Sequence, residues 1–305
     1  MATPMTSTQF RSIVEPILNQ EFDGIYDQRA DEWKEFLKQE TGIARSYHEE
    51  PVLYGMGSAP ELPEGTPVVY DSGGVLFIAR YVYKVFGIAF SLTKTLVEDG
   101  DHIRLGRIFS RHMAQSMVET EETVSSNILN RAFNSAYTGG DGVSLSNASH
   151  PLAGGGTWSN LLTAAAVLSQ TSVEQLAIQI RKATDWRGKK IRLMPKRLII
   201  SPDNVMQAEV ILKSVLRSGN ADNDVNPIKS LGLFPDGAST ISRLTSTTAW
   251  WIQTDVQEGL KMLNRRKNER SMEGDFDTDS MRYKTTARYI PGWTDPHDLY
   301  GTAGV

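Results

Sequence analysis

The chain has 305 residues, 40% hydrophobic and 22% charged, enough for a sizeable core in one or two domains and against disorder throughout. A formal net charge of -4 and pI of about 5.8 argue against a broadly basic nucleic-acid-binding surface, and the absence of cysteine excludes disulfide frameworks, thiolate metal sites and cysteine nucleophiles. No window approaches the ~18–20 apolar residues of a spanning helix, and the N-terminus lacks a basic start followed by an apolar run, so the expectation is a soluble protein made in a cytoplasm, without a membrane partner.

Residues 5–40 read as mostly helical, with Phe10, Ile13, Val14, Ile17 and Leu18 as one apolar set, Trp33, Phe36 and Leu37 as a second, and Gly24 between them. Trp33 lies in the charged segment DEWKEFLKQE and must dock on its own chain or on a neighbour. From Arg45 to Asp71, Pro51, Pro60, Pro63 and Pro67 with Gly55, Gly57 and Gly65 exclude a helix. Short strands near Val52–Tyr54 and Val68–Tyr70 are expected to pair as a long hairpin with little apolar content of its own. Such an arm is marginal in isolation and needs something to lie on.

Val75–Leu92 reads as strand material leading into a helix, with Asp99 or Asp101 as its N-cap. Residues 101–133 form the longest amphipathic pattern in the chain. Leu105, Phe109, Met113, Met117, Val124, Ile128 and Ala132 fall on one stripe, and Arg104, Arg111, Glu119, Glu122 and Arg131 on other faces. Unbroken by proline, this spine would run roughly 45–50 Å at about 1.5 Å per residue.

The Gly/Ser/Asn-rich stretch 134–160 is too long for a simple connector. A helix follows from a Thr171–Glu174 capping box, with Val173, Leu176, Ile180 and Ala183 buried. A strand ending at Ser201-Pro202 and a helix from about Asp203 open an α/β region. Residues 218–240 are again loop-like. In a strand at Ala249–Gln253 the adjacent Trp250 and Trp251 must point to opposite faces, one of them expected to meet a second surface. A charged stretch, Lys261–Asp279, precedes a strand at Met281–Ile290.

Chemistry-bearing residues are few. His150 lies near Ser144, Ser146, Ser149 and Asp141, but no nucleophile elbow accompanies it and a structural loop role is favoured over a hydrolase. Gly154–Gly156 lacks a phosphate-loop pattern, and Asp275, Asp277 and Asp279 lack the glycine and distal glutamate of a calcium loop. The other histidines make no metal-ligand spacing, and the cluster Lys189, Lys190, Arg192, Lys196 and Arg197 reads as a solvated turn or an inter-subunit charge contact. No catalytic residue, metal or cofactor is assigned.

The order of parts resembles the major capsid protein of tailed bacteriophages, the Hong Kong 97 type fold, and within it the Mu-like major head subunits. The strings Ala132-Phe133-Asn134, Ser149-His150-Pro151-Leu152, Gly154-Gly155-Gly156-Thr157 and Ser159-Asn160-Leu161 resemble the loop after the spine in that group, and Pro195–Pro202 its lead into the axial domain. The resemblance implies an α+β fold. Its parts would be an N-terminal arm (1–45), an extended loop (46–100), a peripheral domain (101–195 and 270–305, spine 101–133) and an axial α/β domain (196–269). It implies a non-enzymatic virion protein, assembled in the bacterial cytoplasm into hexamers and pentamers of an icosahedral shell around double-stranded DNA that it does not read by sequence. A separate scaffolding protein, a portal protein and a decoration protein would be its partners. The expected contacts between copies are Trp33, Tyr54, Met56, Leu62, Pro63, His150, Trp158, Trp250 and Trp251. The alternatives are a tail tube or sheath protein and, less favoured, a hydrolase using His150.

Overall fold

The computed structural model describes residues 7–28, 31–41, 45–93, 102–217, 224–275 and 280–304. The first helix, α1 (Ser7–Tyr26), runs through Gly24, and Val14, Leu18 and Phe22 are buried. The expected second arm helix does not form. Glu32–Glu35 make one 3-10 turn, and Lys38–Thr41 form strand β1, pairing in parallel with a later strand at Leu260–Asp275. Tertiary pairing overrides the local helical pattern there, and Trp33, Phe36 and Leu37 turn into the core.

The hairpin also differs in register. Strand β2 (Tyr47–Tyr54) pairs antiparallel with β3 (Gly74–Val82), so Val68–Tyr70 lies beyond the paired strands. Strand β4 (Lys84–Leu92) follows β3 after one residue. The expected N-caps Asp99 and Asp101 lie outside the described residues. The spine is α2 (His102–Asn130), 29 residues and about 44 Å at 1.5 Å per residue.

The buried side of α2 is wider than one stripe. Met113, Met117, Ile128 and Leu129 are core, while Ala114, Val118, Glu121, Glu122, Ser125 and Ser126 are buried too, and Phe109 is exposed. Two layers explain this. One side of α2 meets α1, where Ser110 Oγ donates to the Leu18 carbonyl, and another meets a sheet of order β1-β10-β11-β4. Its central pair, β10 (Leu260–Asp275) and β11 (Ser280–Trp293), is antiparallel, and Tyr283, Ala287 and Tyr289 point from β11 into the core.

After α2, short strands β5 (His150–Pro151) and β6 (Thr157–Trp158) pair within the long loop. Helix α3 (Gln170–Arg181) is capped by Ser169 with Ser172, two residues earlier than the sequence pattern suggests. The second sheet has order β12-β9-β7-β8, with β7 (Pro195–Ile200) parallel to β8 (Ala238–Thr240) and antiparallel to β9 (Trp250–Thr254), which β12 (Leu299–Thr302) flanks. Helices α4 (Val205–Lys213) and α5 (Pro227–Ser230) lie between β7 and β8 in the chain.

This sheet is buried on both faces. Leu198, Ile200 and Trp250 join a core with α3 and α4, whereas Ile199 and Trp251 join the core containing the spine. The opposed tryptophans follow the strand period, but both are buried in their own chain and neither meets an external surface. The sheets also cross the expected domain borders. The limit at 269/270 falls inside β10, and β12 completes the sheet of β7 and β9.

Candidate assembly surface

The β2–β3 hairpin has one face on the chain and a tip that leaves it. Phe77 packs edge-on against Trp186 at 5.4 Å, and Ala79, Tyr81 and Tyr83 form a small core with Leu263. Beyond the last strand pair, a clip holds both legs of the hairpin to the turn at 185–189. Asp71 accepts from the Gly57 amide at 2.6 Å, the Ser72 amide at 2.8 Å and Arg187 at 2.7 Å, and Arg187 also donates to the Gly55 carbonyl at 3.1 Å. Lys189 donates to the Met56 carbonyl, and the Arg187 guanidinium lies 5.7 Å from the Tyr54 ring. The Gly57 N–H, then Arg187, hold the Asp71 carboxyl down at about 2.

Past the clip the chain has only its own turn. Pro63 O accepts from Thr66 N at 3.2 Å, and Gly65 adopts the φ of +81° that the third position of a type II turn requires. Met56 (62%), Leu62 (50%), Val68, Val69 and Tyr70 (96%) are exposed, as is Pro63, while Tyr54 is half-buried. That is an apolar surface without a partner among the described residues. A second exposed apolar set escaped the sequence reading: Met206 and Val210 on α4, with Val215, Val225 and Leu231 beside it. Met206 and Val210 stand one helical turn apart opposite buried Ala208 and Ile211, a spacing that could have revealed them.

Of the remaining expected contact residues, Trp33, His150, Trp250 and Trp251 are interior and Trp158 is half-buried. Trp33 is 2% exposed in the spine core and His150 is fully buried. Trp158 is sandwiched between His150 (4.7 Å) and His297 (3.8 Å), with Trp186 edge-on at 5.9 Å. Trp33, Trp250 and Trp251 are core residues, since burying large rings inside the chain removes more apolar area from water than a contact at one edge.

His150 assembles no triad. Its Nδ1 faces Asp141 Oδ2 at 2.6 Å, but Nε2 faces Asn160 Oδ1 at 3.2 Å, where a nucleophilic hydroxyl would have to stand. Asn160 is fixed in that orientation because its Nδ2 donates to the carbonyls of Leu145, Leu299 and Pro296. The pair is a brace joining the long loop to the C-terminal segment.

Among the described residues one cluster, Glu40, His48 and Glu50, has metal-ligand spacing. Its cation is Lys261, 1% exposed, whose ammonium lies 2.7 Å from Glu50, 2.7 Å from Glu258 and 3.5 Å from Glu40. Burial alone would lower the Lys261 pKa, yet the bonds to Glu258 and Glu50 raise it, so the charge stays and offsets part of the negative charge of the three carboxylates. Asp275, one of the three aspartates of the rejected calcium pattern, pairs with Arg282, and 276–279 lie outside the described residues. Lys196 and Arg197 pair with Asp236. No helix among the described residues is long and apolar enough to cross a membrane.

A spine helix laid on a four-stranded sheet, a hairpin that overreaches its own core and a second, doubly covered mixed sheet define the Hong Kong 97 type capsid fold. Among solved structures, the chain is similar to that in the procapsid of bacteriophage JBD30 (TM-score 0.54, 13% identity, 97% of this chain and 75% of that one). It is similar as well to a chain of Mycobacterium phage Adephagia (0.53, 11%, 91% and 91%) and to the virus-like particle of Pyrococcus furiosus (0.50, 9%, 94% and 98%). A search of curated proteins found no sequence match. The phage capsid protein family matches residues 79–300, and the chain belongs to that family. It is a structural subunit of the phage virion, a major capsid protein that self-associates into the head shell, and not an enzyme.

Proposed function

We propose that the subunit builds its shell from hexamers and pentamers through the hairpin tip at 58–70, with Met56, Leu62 and Pro63 as contacts and Tyr54 as their support. The observation that carries this is the run of exposed apolar side chains beyond the Arg187–Asp71 clip, which nothing among the described residues covers. The exposed side of α4 supplies a second contact around the capsomer axis. In this reading 1–45 is the arm, 46–100 the extended loop, 101–195 with 270–305 the peripheral domain and 196–269 the axial domain, with the shared strands β10 and β12 tying the last two together.

The subtype is Mu-like, supported by the loop strings around Ser149–Leu161. Scaffolding, portal and decoration proteins are its partners, and double-stranded DNA lies on the inner face without sequence readout. Electron microscopy of the purified protein under assembly conditions tests the reading. Closed shells of five- and six-fold units are expected. Helical tubes would favour a tail protein instead, and a persistent monomer would sink both.

A further inference from the structure

A cavity of about 590 Å³ lies between α3, the segment 158–164 and β12, within the size range of small-ligand pockets. Its walls are apolar at Trp158, Leu162, Ala164, Ile178 and Ala183. The Trp158 wall is held rigid, because the ring is stacked between His150 and His297.

The polar groups of this cavity are all of one kind. Tyr300, 1% exposed, lines it with a hydroxyl that has no hydrogen-bond partner, and the buried indole N–H of Trp158 has none either. Burial holds the Tyr300 phenol above its usual titration range, so it keeps its proton and donates, and an indole N–H can only donate. Buried polar groups are nearly always paired, so two unpaired donors on one cavity call for an acceptor from outside the chain. Lys182, also on the cavity, is exposed and makes no ion pair among the described residues. Lys190 stands beside it, donating to the Lys182 carbonyl at 2.7 Å. Among the described residues no acidic side chain lines the cavity to neutralise these cations.

We propose that this cavity binds a carboxylate carried on an apolar body, its oxygens accepting from Trp158 Nε1 and the Tyr300 hydroxyl and facing the Lys182 ammonium, with the body against Leu162 and Ile178. A neutral hydrocarbon would leave both donors unpaired, and a wholly hydrophilic anion would leave the apolar walls without a partner. The site uses none of the residues of the hairpin tip or of the exposed side of α4, and so adds a binding function to shell building. Two sources carry such a group: a free apolar acid, and the C-terminus of a polypeptide whose last residue is apolar.

Calorimetric titration of the purified subunit with 4-phenylbutyrate, and with a short peptide ending in a free leucine carboxylate, tests the site. At least one acid should bind saturably, and its carboxamide about tenfold more weakly or worse, because bonds to a charged acceptor are the stronger ones. Tyr300→Phe keeps the ring and Lys182→Gln changes an exposed side chain, so both should fold, and each should weaken the acid about tenfold while leaving the amide nearly as it was. The indole N–H resonance that disappears in Trp158→Phe should move when acid is added to the native subunit. A peptide that binds tighter than phenylbutyrate assigns the polypeptide terminus as the source, and the reverse order assigns a free acid. No saturable binding of either acid, equal binding of acid and amide, or variants that hold the acid as the native subunit does would overturn the carboxylate site and leave the capsid assignment standing.

Discussion

Glu122 sits on α2 at 1% exposure, on a helix face whose sequence pattern suggests solvent. Burial first, then the charge of Glu32, pushes its carboxyl up to about 7, against the pull of Arg243. The folded state therefore binds a proton that the unfolded chain releases near 4.5. This contribution is fully present below about pH 4.5 and is lost as pH rises through 7, a difference of about 3 kcal/mol. Glu122→Gln keeps the shape without the charge. It should raise stability at pH 8 by about 3 kcal/mol and change little at pH 4, read from urea unfolding at both values. An equal gain at both pH values would assign the effect to packing. Buried Asp298, also raised to about 7, titrates over the same range in both proteins and cancels in the comparison. Trp33 gives a second residue-scale test. Its 2% exposure predicts a loss of about 3–5 kcal/mol in Trp33→Ala by denaturant unfolding, with Trp33→Phe much milder because the indole N–H has no partner. A Trp33→Ala subunit with unchanged unfolding but impaired assembly would return the residue to the contact surface.

At the scale of elements, legibility followed how local the determining forces are. The spine was readable because its apolar spacing and lack of proline are written within its own 29 residues. The second half of the arm was not, since Lys38–Thr41 becomes a strand only by pairing with Lys261–Asn264, more than 200 residues away. Val68–Tyr70 has strand propensity but no strand partner among the described residues, so propensity alone misplaces the hairpin register. The clip was hidden for the same reason, as Asp71 and Arg187 are 116 residues apart. Arg187→Gln should leave the midpoint of global unfolding nearly unchanged, because an exposed ion pair contributes little to stability, yet it frees both hairpin legs. Limited proteolysis should then cut within 58–70 several times faster than in the native chain. Asp71 is held at about 2, so native cleavage should stay flat from pH 4 upward and quicken only as pH falls through that value. Equal cleavage of native and variant chains would deny the clip its positioning role.

Across the whole molecule, the contact residues misjudged from sequence share a cause. Trp33, Trp250 and Trp251 are large groups whose neighbours come from distant segments, and only the folded chain shows that two cores back to back on β9 consume them, while His150 is taken up by Asp141 and Asn160. What the cores leave over is the hairpin tip. It follows that folding and assembly should separate. Replacing 58–70 by a short Gly-Ser linker removes exposed residues such as Leu62, Val68, Val69 and Tyr70 and no buried one, and the clip residues Gly57 and Asp71 remain. The monomer should melt at the native temperature with native circular dichroism, since no buried apolar area is lost. Shell formation, followed by light scattering and electron microscopy, should fail, because each subunit loses a contact repeated around the entire shell. A deletion that unfolds the monomer would mean that the tip belongs to the core, and one that still closes normal shells would move the essential contact to the exposed face of α4.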